Sequence, residues 1–387
     1  MINHLLETFN DLFNRDDGLI FFSPGRLNLI GEHIDYNGGL VLPFAIDKGI
    51  YGVAGLRQDR MINVLSKPFT NTIYQFSLDD LKKNSAYAWA DYIKGSLKAL
   101  IDHGYMITKG FDLYLESDLA IGAGLSSSAA LEMLIIYMVN DFFDFKIDPL
   151  TMAKLGQYCE QHFIGVKSGI MDQCAIIMSK KDHALLLDTM SLHTTYVPFR
   201  FNDYTLIIAN TNKKRNLIDS KYNERFQECQ TALIQLKKHY PITHLCEIPI
   251  GELNHIQNLI DINLFKRVRH IISEHDRTYQ CSNLLSDASV QAFSNLINQS
   301  HRSLKEDYDV TGIELDTLQE ALLSSGATCA RMTGAGFGGC ALALIKNERV
   351  EKVIQQASKI YTNKIGYEPS FDIIHSSDGT HKIENAS

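Results

Sequence analysis

The segment Gly122-Ala123-Gly124-Leu125-Ser126-Ser127-Ser128 runs straight into a helical pattern whose apolar residues cover most of its circumference. Leu131, Met133, Leu134, Ile135, Ile136, Met138 and Val139 leave little polar face, so a helix from about Ala129 to Phe143 belongs inside the protein. Its ~15 residues span roughly 22 Å, the depth of a domain. The first amides of a helix lack internal partners, and the helix dipole places partial positive charge there. Glycines let a ligand approach the backbone closely, and serines add hydroxyl donors and a capping residue. A buried helix whose N-terminus opens on a cleft is therefore a rigid seat for a polyphosphate. A plain loop with an N-cap is the simpler reading, but two glycines and three serines exceed what it needs. The loop is not of the G-x-x-x-x-G-K-[ST] kind, because no lysine precedes the hydroxyl residue. Cation charge for a bound nucleotide must come from elsewhere.

The rest of the composition narrows the function classes. The 387 residues suggest two domains or one large one, and the 45% hydrophobic content supports a sizeable core. A net charge of −8 without a long basic run argues against a nucleic-acid surface. The densest basic cluster, Lys213-Lys214-Arg215, reads as a solvated loop, with a phosphate contact as the alternative. No signal peptide is expected from Met1 to Asp17, and no apolar run reaches the ~18 residues of a membrane span. Seven cysteines without a C-x-x-C spacing fit buried thiols in a reduced, cytoplasmic protein. Fourteen histidines include no H-E-x-x-H, so a metal bound through nitrogen or sulfur alone is not expected.

In chain order, a short helix is expected at Glu7 to Phe13 and a strand at Leu19 to Phe22, ending at Ser23-Pro24-Gly25. Arg26 to Gly39 mixes charged and apolar residues, as in a partly buried segment whose polar groups face a cleft. Val41 to Leu56 reads as three short strands, Asn63 to Ser66 as another, and Phe111 to Glu116 as a strand with one buried face. Helices are expected at Tyr92 to Ile101, Thr151 to Phe163 and, opening at Gly169-Ile170-Met171-Asp172-Gln173, on to Met178. Ala184 to Leu187 and Thr205 to Ala209 read as strands. A domain boundary is placed near Asn202, giving units 1–201 and 202–387. Beyond it, helices are expected at Leu217 to His239, Leu259 to Ser273, Ser286 to Ser300 and Leu315 to Ser324. Gly334, Gly336 and Gly339 spell G-x-G-x-x-G, but the strand-like run Cys340 to Ile345 follows instead of a helix. That excludes a dinucleotide fingerprint and fits a glycine-rich turn between two strands. His375 to Ser387 reads as a frayed polar tail.

Four segments together resemble a known family. Ser23-Pro24-Gly25-Arg26-Leu27-Asn28-Leu29-Ile30-Gly31-Glu32-His33-Ile34-Asp35-Tyr36-Asn37 resembles the galactokinase signature. Gly122 to Ala129 resembles the ATP-binding motif of the wider GHMP kinases. Gly169 to Gln173 resembles the galactokinase catalytic segment, and Thr333 to Gly339 the third GHMP motif. They stand in the family's order across nearly the whole chain. Ser23 stands where alanine is usual, Ile34 where threonine is, and Val166-Lys167-Ser168 where Val-Pro-Cys is.

The resemblance implies an α+β fold of two domains, the first like a ribosomal-protein α/β fold and the second ferredoxin-like, with the site in the cleft between them. It implies transfer of phosphate from ATP to the anomeric hydroxyl of α-D-galactose, the first step of the Leloir pathway. Asp172 is then the base and Arg26 its partner. Glu32, His33, Ile34, Asp35, Asp172 and Tyr222 are the sugar ligands. Ser66 and Gly122, Ala123, Gly124, Leu125, Ser126, Ser127 and Ser128 bind ATP, while Ser128 and Glu160 hold Mg2+. Taken alone, Asp172 also suits a helix N-terminus, Arg26 a structural ion pair, Tyr222 helix packing and Glu160 a surface charge. Two other functions use the same residues: N-acetylgalactosamine phosphorylation and a non-catalytic galactose and ATP sensor. The partners implied are small molecules, with no nucleic acid and no membrane.

Overall fold

The computed structural model describes residues 2–119, 124–213 and 218–384. The first half of the chain runs α1 (Ile2–Phe13), β1 (Leu19–Asn28), β2 (Leu40–Val41), β3 (Pro43–Leu56), β4 (Met61–Ser66), β5 (Tyr74–Ser77), α2 (Ala88–Asp102), β6 (Phe111–Ser117), α3 (Ser127–Phe143), α4 (Pro149–Tyr158), α5 (Met171–Met178), β7 (His183–Asp188) and β8 (Thr194–Pro198). The second half runs β9 (Tyr204–Asn210), α6 (Ile218–Leu236), α7 (Leu253–Ile256), α8 (Ile262–Ser282), α9 (Val290–Ser303), α10 (Gly312–Ser325), β10 (Cys329–Thr333), β11 (Cys340–Lys346), α11 (Val350–Ile365), β12 (Ser370–Ile374) and β13 (His381–Ile383). The fold is α+β, as expected.

Among the described residues, one sheet has six strands in the order β13-β1-β3-β6-β4-β5, a second has four in the order β10-β11-β9-β12, and a third joins β2, β7 and β8. Alternation along β1 sends its side chains to two layers. Ile20 joins Leu5 and Phe9 of α1 in a small cluster. Phe21, its neighbour, meets Phe142 of α3 edge-on at 5.8 Å. The helix α3 is buried from Ala129 through Ile136, as its unbroken apolar pattern requires.

Several boundaries differ from expectation for reasons that bear on the site. Ser23-Pro24-Gly25 does not end β1; the strand continues to Asn28 with a register shift between Pro24 and Arg26. A bulge tolerates the proline and re-aims the next side chain. At Gly25 a Cβ would stand 2.6 Å from Leu119 and 3.0 Å from the Leu125 carbonyl, so only glycine lets the loop before α3 come this close. The three short strands expected over Val41 to Leu56 are mostly one, β3, held in register by β1 and β6 on either side. The helix expected to Phe163 stops at Tyr158, and Cys159–Ile164 widens into a π-turn. Over its described residues the tail is not frayed: β13 pairs antiparallel with β1, so His381 to Ile383 return to the first sheet, while residues 385–387 lie outside the described residues. The glycine-rich turn links the antiparallel strands β10 and β11, as expected.

Candidate active site

The β1 bulge carries Arg26 to the start of α5, where it meets Asp172. Arg26 Nε and Nη2 donate to the two Asp172 oxygens at 2.7 and 2.8 Å, a fork that matches carboxylate geometry. Arg26 Nη1 donates to the Gly124 carbonyl at 2.8 Å, and its backbone amide to the Leu125 carbonyl at 3.2 Å. Burial opposes the guanidinium charge, but the carboxylates of Asp172, Glu32 and Asp35 outweigh it and hold the Arg26 pKa above its ordinary value. The side chain of Asp172 remains 29% exposed, so a substrate can reach it.

Beside this pair lies a cavity of about 210 Å³ whose walls include Arg26, Glu32, His33, Asp35, Asp172 and Tyr222. The structure thus gathers residues from β1, the segment after it, α5 and α6. Glu32 is 1% exposed and ties three segments. Its Oε2 accepts from Asn28 Nδ2 at 2.8 Å, and its Oε1 from the Gly334 amide at 2.7 Å and Arg331 Nη2 at 3.4 Å. His33 sits at φ +64°, uncommon for a side chain of its size, with Nδ1 2.9 Å from the Tyr36 hydroxyl. Burial, then the charges of His270, Arg225 and Arg331, push its pKa down to about 3 despite the Ala335 backbone, so the ring is neutral. Tyr222 lies over His33 with ring centroids 5.7 Å apart. Asp35 fits because residue 169 is glycine, where a Cβ would stand 1.9 Å from Asp35 Oδ2. Burial, then the charges of Asp172 and Glu32, push Asp35 up to about 7.

Ile34 does not join them. It is fully buried against Gly39 and does not line the cavity. An apolar side chain between polar neighbours turns to the core.

A second cavity, of about 290 Å³, opens on the other side of the start of α3 and is lined by Ser66, Phe69, Trp89, Tyr92, Ser127 and Ser128 among others. Phe69 and Trp89 lie parallel, 4° apart, with centroids at 5.8 Å. The first intrahelical bond of α3 runs from the Ala130 amide to the Ser126 carbonyl, so the amides of Ser127, Ser128 and Ala129 precede it. The expected phosphate loop changes in detail. Gly122 and Ala123 lie outside the described residues. Leu125 is buried in the core. Ser126 stands at the N-cap position with φ +60°, yet its side chain caps no helix amide. Its hydroxyl donates to Asp172 Oδ2 instead.

The two cavities approach each other at Ser128 and Glu160. Glu160 lines the first and Ser128 the second, and Ser128 Oγ is 3.4 Å from Glu160 Oε1. Glu160 Oε2 accepts from the Ser168 hydroxyl. Burial is the main cause that raises the Glu160 pKa. Of the basic cluster, Lys213 pairs with Glu314 at 3.0 Å, while Lys214 and Arg215 lie outside the described residues.

Sequence reasoning missed Phe69, Trp89 and Tyr92, which no motif marks. It also missed the Ser126 and Ser168 contacts. The π-turn at Glu160 had no local signal either, since its sequence reads as ordinary helix.

Residues 7–56 match the galactokinase galactose-binding signature, 91–180 the GHMP kinase N-terminal domain and 284–363 the GHMP kinase C-terminal domain. The chain is 47% identical over 382 residues to a galactokinase of Staphylococcus saprophyticus, covering 98% of this chain and 99% of that one. It is 47% identical to a galactokinase of Clostridium perfringens, covering 98% of each. A solved structure of Lactococcus lactis galactokinase complexed with galactose superimposes with TM-score 0.95 at 41% identity, covering 99% of this chain and 100% of that one. A Methanococcus jannaschii mevalonate kinase, 20% identical with TM-score 0.67 over 94% of this chain and 100% of that one, shares the fold.

Proposed function

The chain belongs to the galactokinase family of GHMP kinases, and from that premise we propose how its residues divide the work of the reaction. The enzyme transfers the γ-phosphoryl group of ATP to the anomeric hydroxyl of α-D-galactose, giving galactose 1-phosphate and ADP. The observation that carries the assignment is the Arg26–Asp172 fork on the wall of a cavity that Glu32 and Asp35 also line, in contact with Ser126 at the start of α3.

In this reading galactose occupies the smaller cavity. Glu32, His33 and Asp35 meet its hydroxyls and Tyr222 covers it. A site built from buried polar groups rejects a sugar that leaves one of them unpaired. ATP occupies the second cavity, its base near Trp89 and Phe69, its phosphates toward the amides of Ser127 and Ser128. Asp172 takes the proton of the anomeric hydroxyl. The freed oxygen attacks the γ-phosphorus, the bond to the bridging oxygen breaks, and ADP departs with the electron pair. Arg26 orients the Asp172 carboxylate through its two-pronged contact and offsets charge on the transferring group.

The hydroxyl of Ser128 and the carboxylate of Glu160 fit Mg2+, which favours oxygen ligands and fills its remaining positions with phosphate and water. When bound there, the ion would neutralise charge on the phosphates. Residues 1–201 and 202–387 form the two units of this reading, with the tail of the second returning to the sheet of the first. Among the described residues no helix is long and apolar enough to cross a membrane. The reaction belongs in the cytoplasm, where ATP is available. An ADP-release assay over galactose, N-acetylgalactosamine, glucose and mevalonate tests the function. Turnover with galactose well above the other three supports it; ATP and galactose binding without ADP release would leave a sensor.

A further inference from the structure

Beneath the reaction centre lies a buried polar pair that the mechanism above does not use. Glu132 on α3 and Gln173 on α5 are both 0% exposed. Gln173 Nε2 donates to Glu132 Oε2 at 3.2 Å. The remaining oxygen of each side chain, Glu132 Oε1 and Gln173 Oε1, accepts from no nitrogen or oxygen donor among the described residues, and the Cys159 thiol is the weak donor that faces Glu132. A buried oxygen left without a donor is destabilising.

One proton answers both vacancies. A protonated carboxyl offers one donor and one acceptor, and an amide offers both kinds as well. The two groups can therefore close a ring of two opposed hydrogen bonds, N–H to Oε2 and O–H to the amide oxygen. The surroundings favour the neutral form. Burial is the main influence holding Glu132 well above the carboxylate range, with the Glu160 charge next and Asp172 smaller, against the Gln173 and Cys159 side chains. The helix α4 closes over the pair at Gly156, where a Cβ would stand 2.9 Å from Gln173 Cγ and 3.4 Å from Glu132 Oε2. The pair also sits close to each reacting part. Gln173 follows Asp172 in α5, and its side chain lies close enough to Glu160 to lower that carboxyl's pKa against the effect of burial. Glu132 is one turn along α3 from Ser128.

We propose that Glu132 and Gln173 form a neutral acid–amide pair that positions the reaction centre. It locks α5 to α3, fixing Asp172 opposite Arg26 and Glu160 opposite Ser128. This rests on the site roles assigned above, and neither residue touches substrate.

The test compares Glu132→Gln, Glu132→Leu, Gln173→Leu and the exchanged double variant Glu132→Gln/Gln173→Glu in the full-length chain. Two amides, or an exchanged acid and amide, can rebuild the ring. Glu132→Gln and the exchanged variant should therefore keep kcat within about threefold, whereas each leucine variant should lose at least about tenfold in kcat with the galactose KM within about twofold. The infrared carbonyl band of an un-ionised carboxyl at pH 8 should be present in the parent and reduced in Glu132→Gln. A Glu132→Gln variant as impaired as Glu132→Leu, or an unchanged infrared band, would overturn the proposal. Both results are read against a parent enzyme that turns over galactose; absence of that turnover would instead sink the functional reading.

Discussion

Arg26 and Asp172, 146 residues apart in sequence, meet as a two-pronged ion pair with contacts of 2.7 and 2.8 Å. The pair is assembled by a strand bulge on one side and a helix start on the other. The third guanidinium nitrogen of Arg26 reaches the Gly124 carbonyl, so Gly124 ahead of α3 and the Asp172 carboxylate share one anchor.

Asp35 gives the fold a dependence on pH. Its pKa is about 7 in the folded protein, against 3.8 for the ordinary group. Between those values the unfolded chain has released a proton that the folded chain still holds. The Asp35 contribution to stability thus falls as pH rises from about 4 to about 7 and then levels off. Asp35→Asn removes this loss. In thermal denaturation it should gain roughly 4 kcal/mol over the parent at pH 8, shrinking toward zero near pH 4. A gain of equal size at both pH values would contradict a titration of Asp35 as its cause.

Glu32 holds the sugar segment to the glycine-rich turn through Asn28, Gly334 and Arg331. Glu32→Leu leaves the fully buried Arg331 without its carboxylate and two donors without acceptors. Removing one partner of a buried ion pair costs about 3–5 kcal/mol, so chemical denaturation should show a loss on that scale. A loss below about 0.5 kcal/mol, as for an ordinary surface change, would remove the clasp.

Much of this was legible in the sequence, and the exceptions share a physical pattern. The buried helix α3 announced itself because no polar face interrupts it. Arg26, Glu32, His33, Asp35 and Asp172 stood in recognisable motifs. Pro24 looked like a strand end, yet a bulge absorbed it, a decision made by pairing with β3 and not by local preference. Trp89 and Phe69 belong to no motif; their partnership exists only after α2 and the segment following β4 fold together. Ser126 looked like a helix cap, and tertiary contact with Asp172 took its hydroxyl elsewhere.

The aromatic walls of the second cavity predict nucleotide selectivity. Trp89→Ala deletes one ring of the parallel pair with Phe69. Steady-state kinetics should show the ATP KM rising about tenfold, with the galactose KM within about twofold. Equal changes in both would place the ring elsewhere in the mechanism.

The Ser128–Glu160 contact predicts a metal requirement. Glu160→Gln removes the charged oxygen that faces the serine hydroxyl. The free Mg2+ needed for half-maximal rate should rise about tenfold, and calorimetry should show weaker binding of Mg·ADP while metal-free ADP binds as before. Unchanged Mg2+ dependence would remove these two residues from the metal site.

The proposed mechanism turns on Asp172 as the group that takes the anomeric proton. Single-turnover phosphorylation by Asp172→Asn, measured beside calorimetric galactose binding, tests this most directly. The expected result is a rate lower by roughly 10³-fold with the galactose Kd within about threefold of the parent. A variant that binds galactose and phosphorylates it at the parental rate would contradict that role.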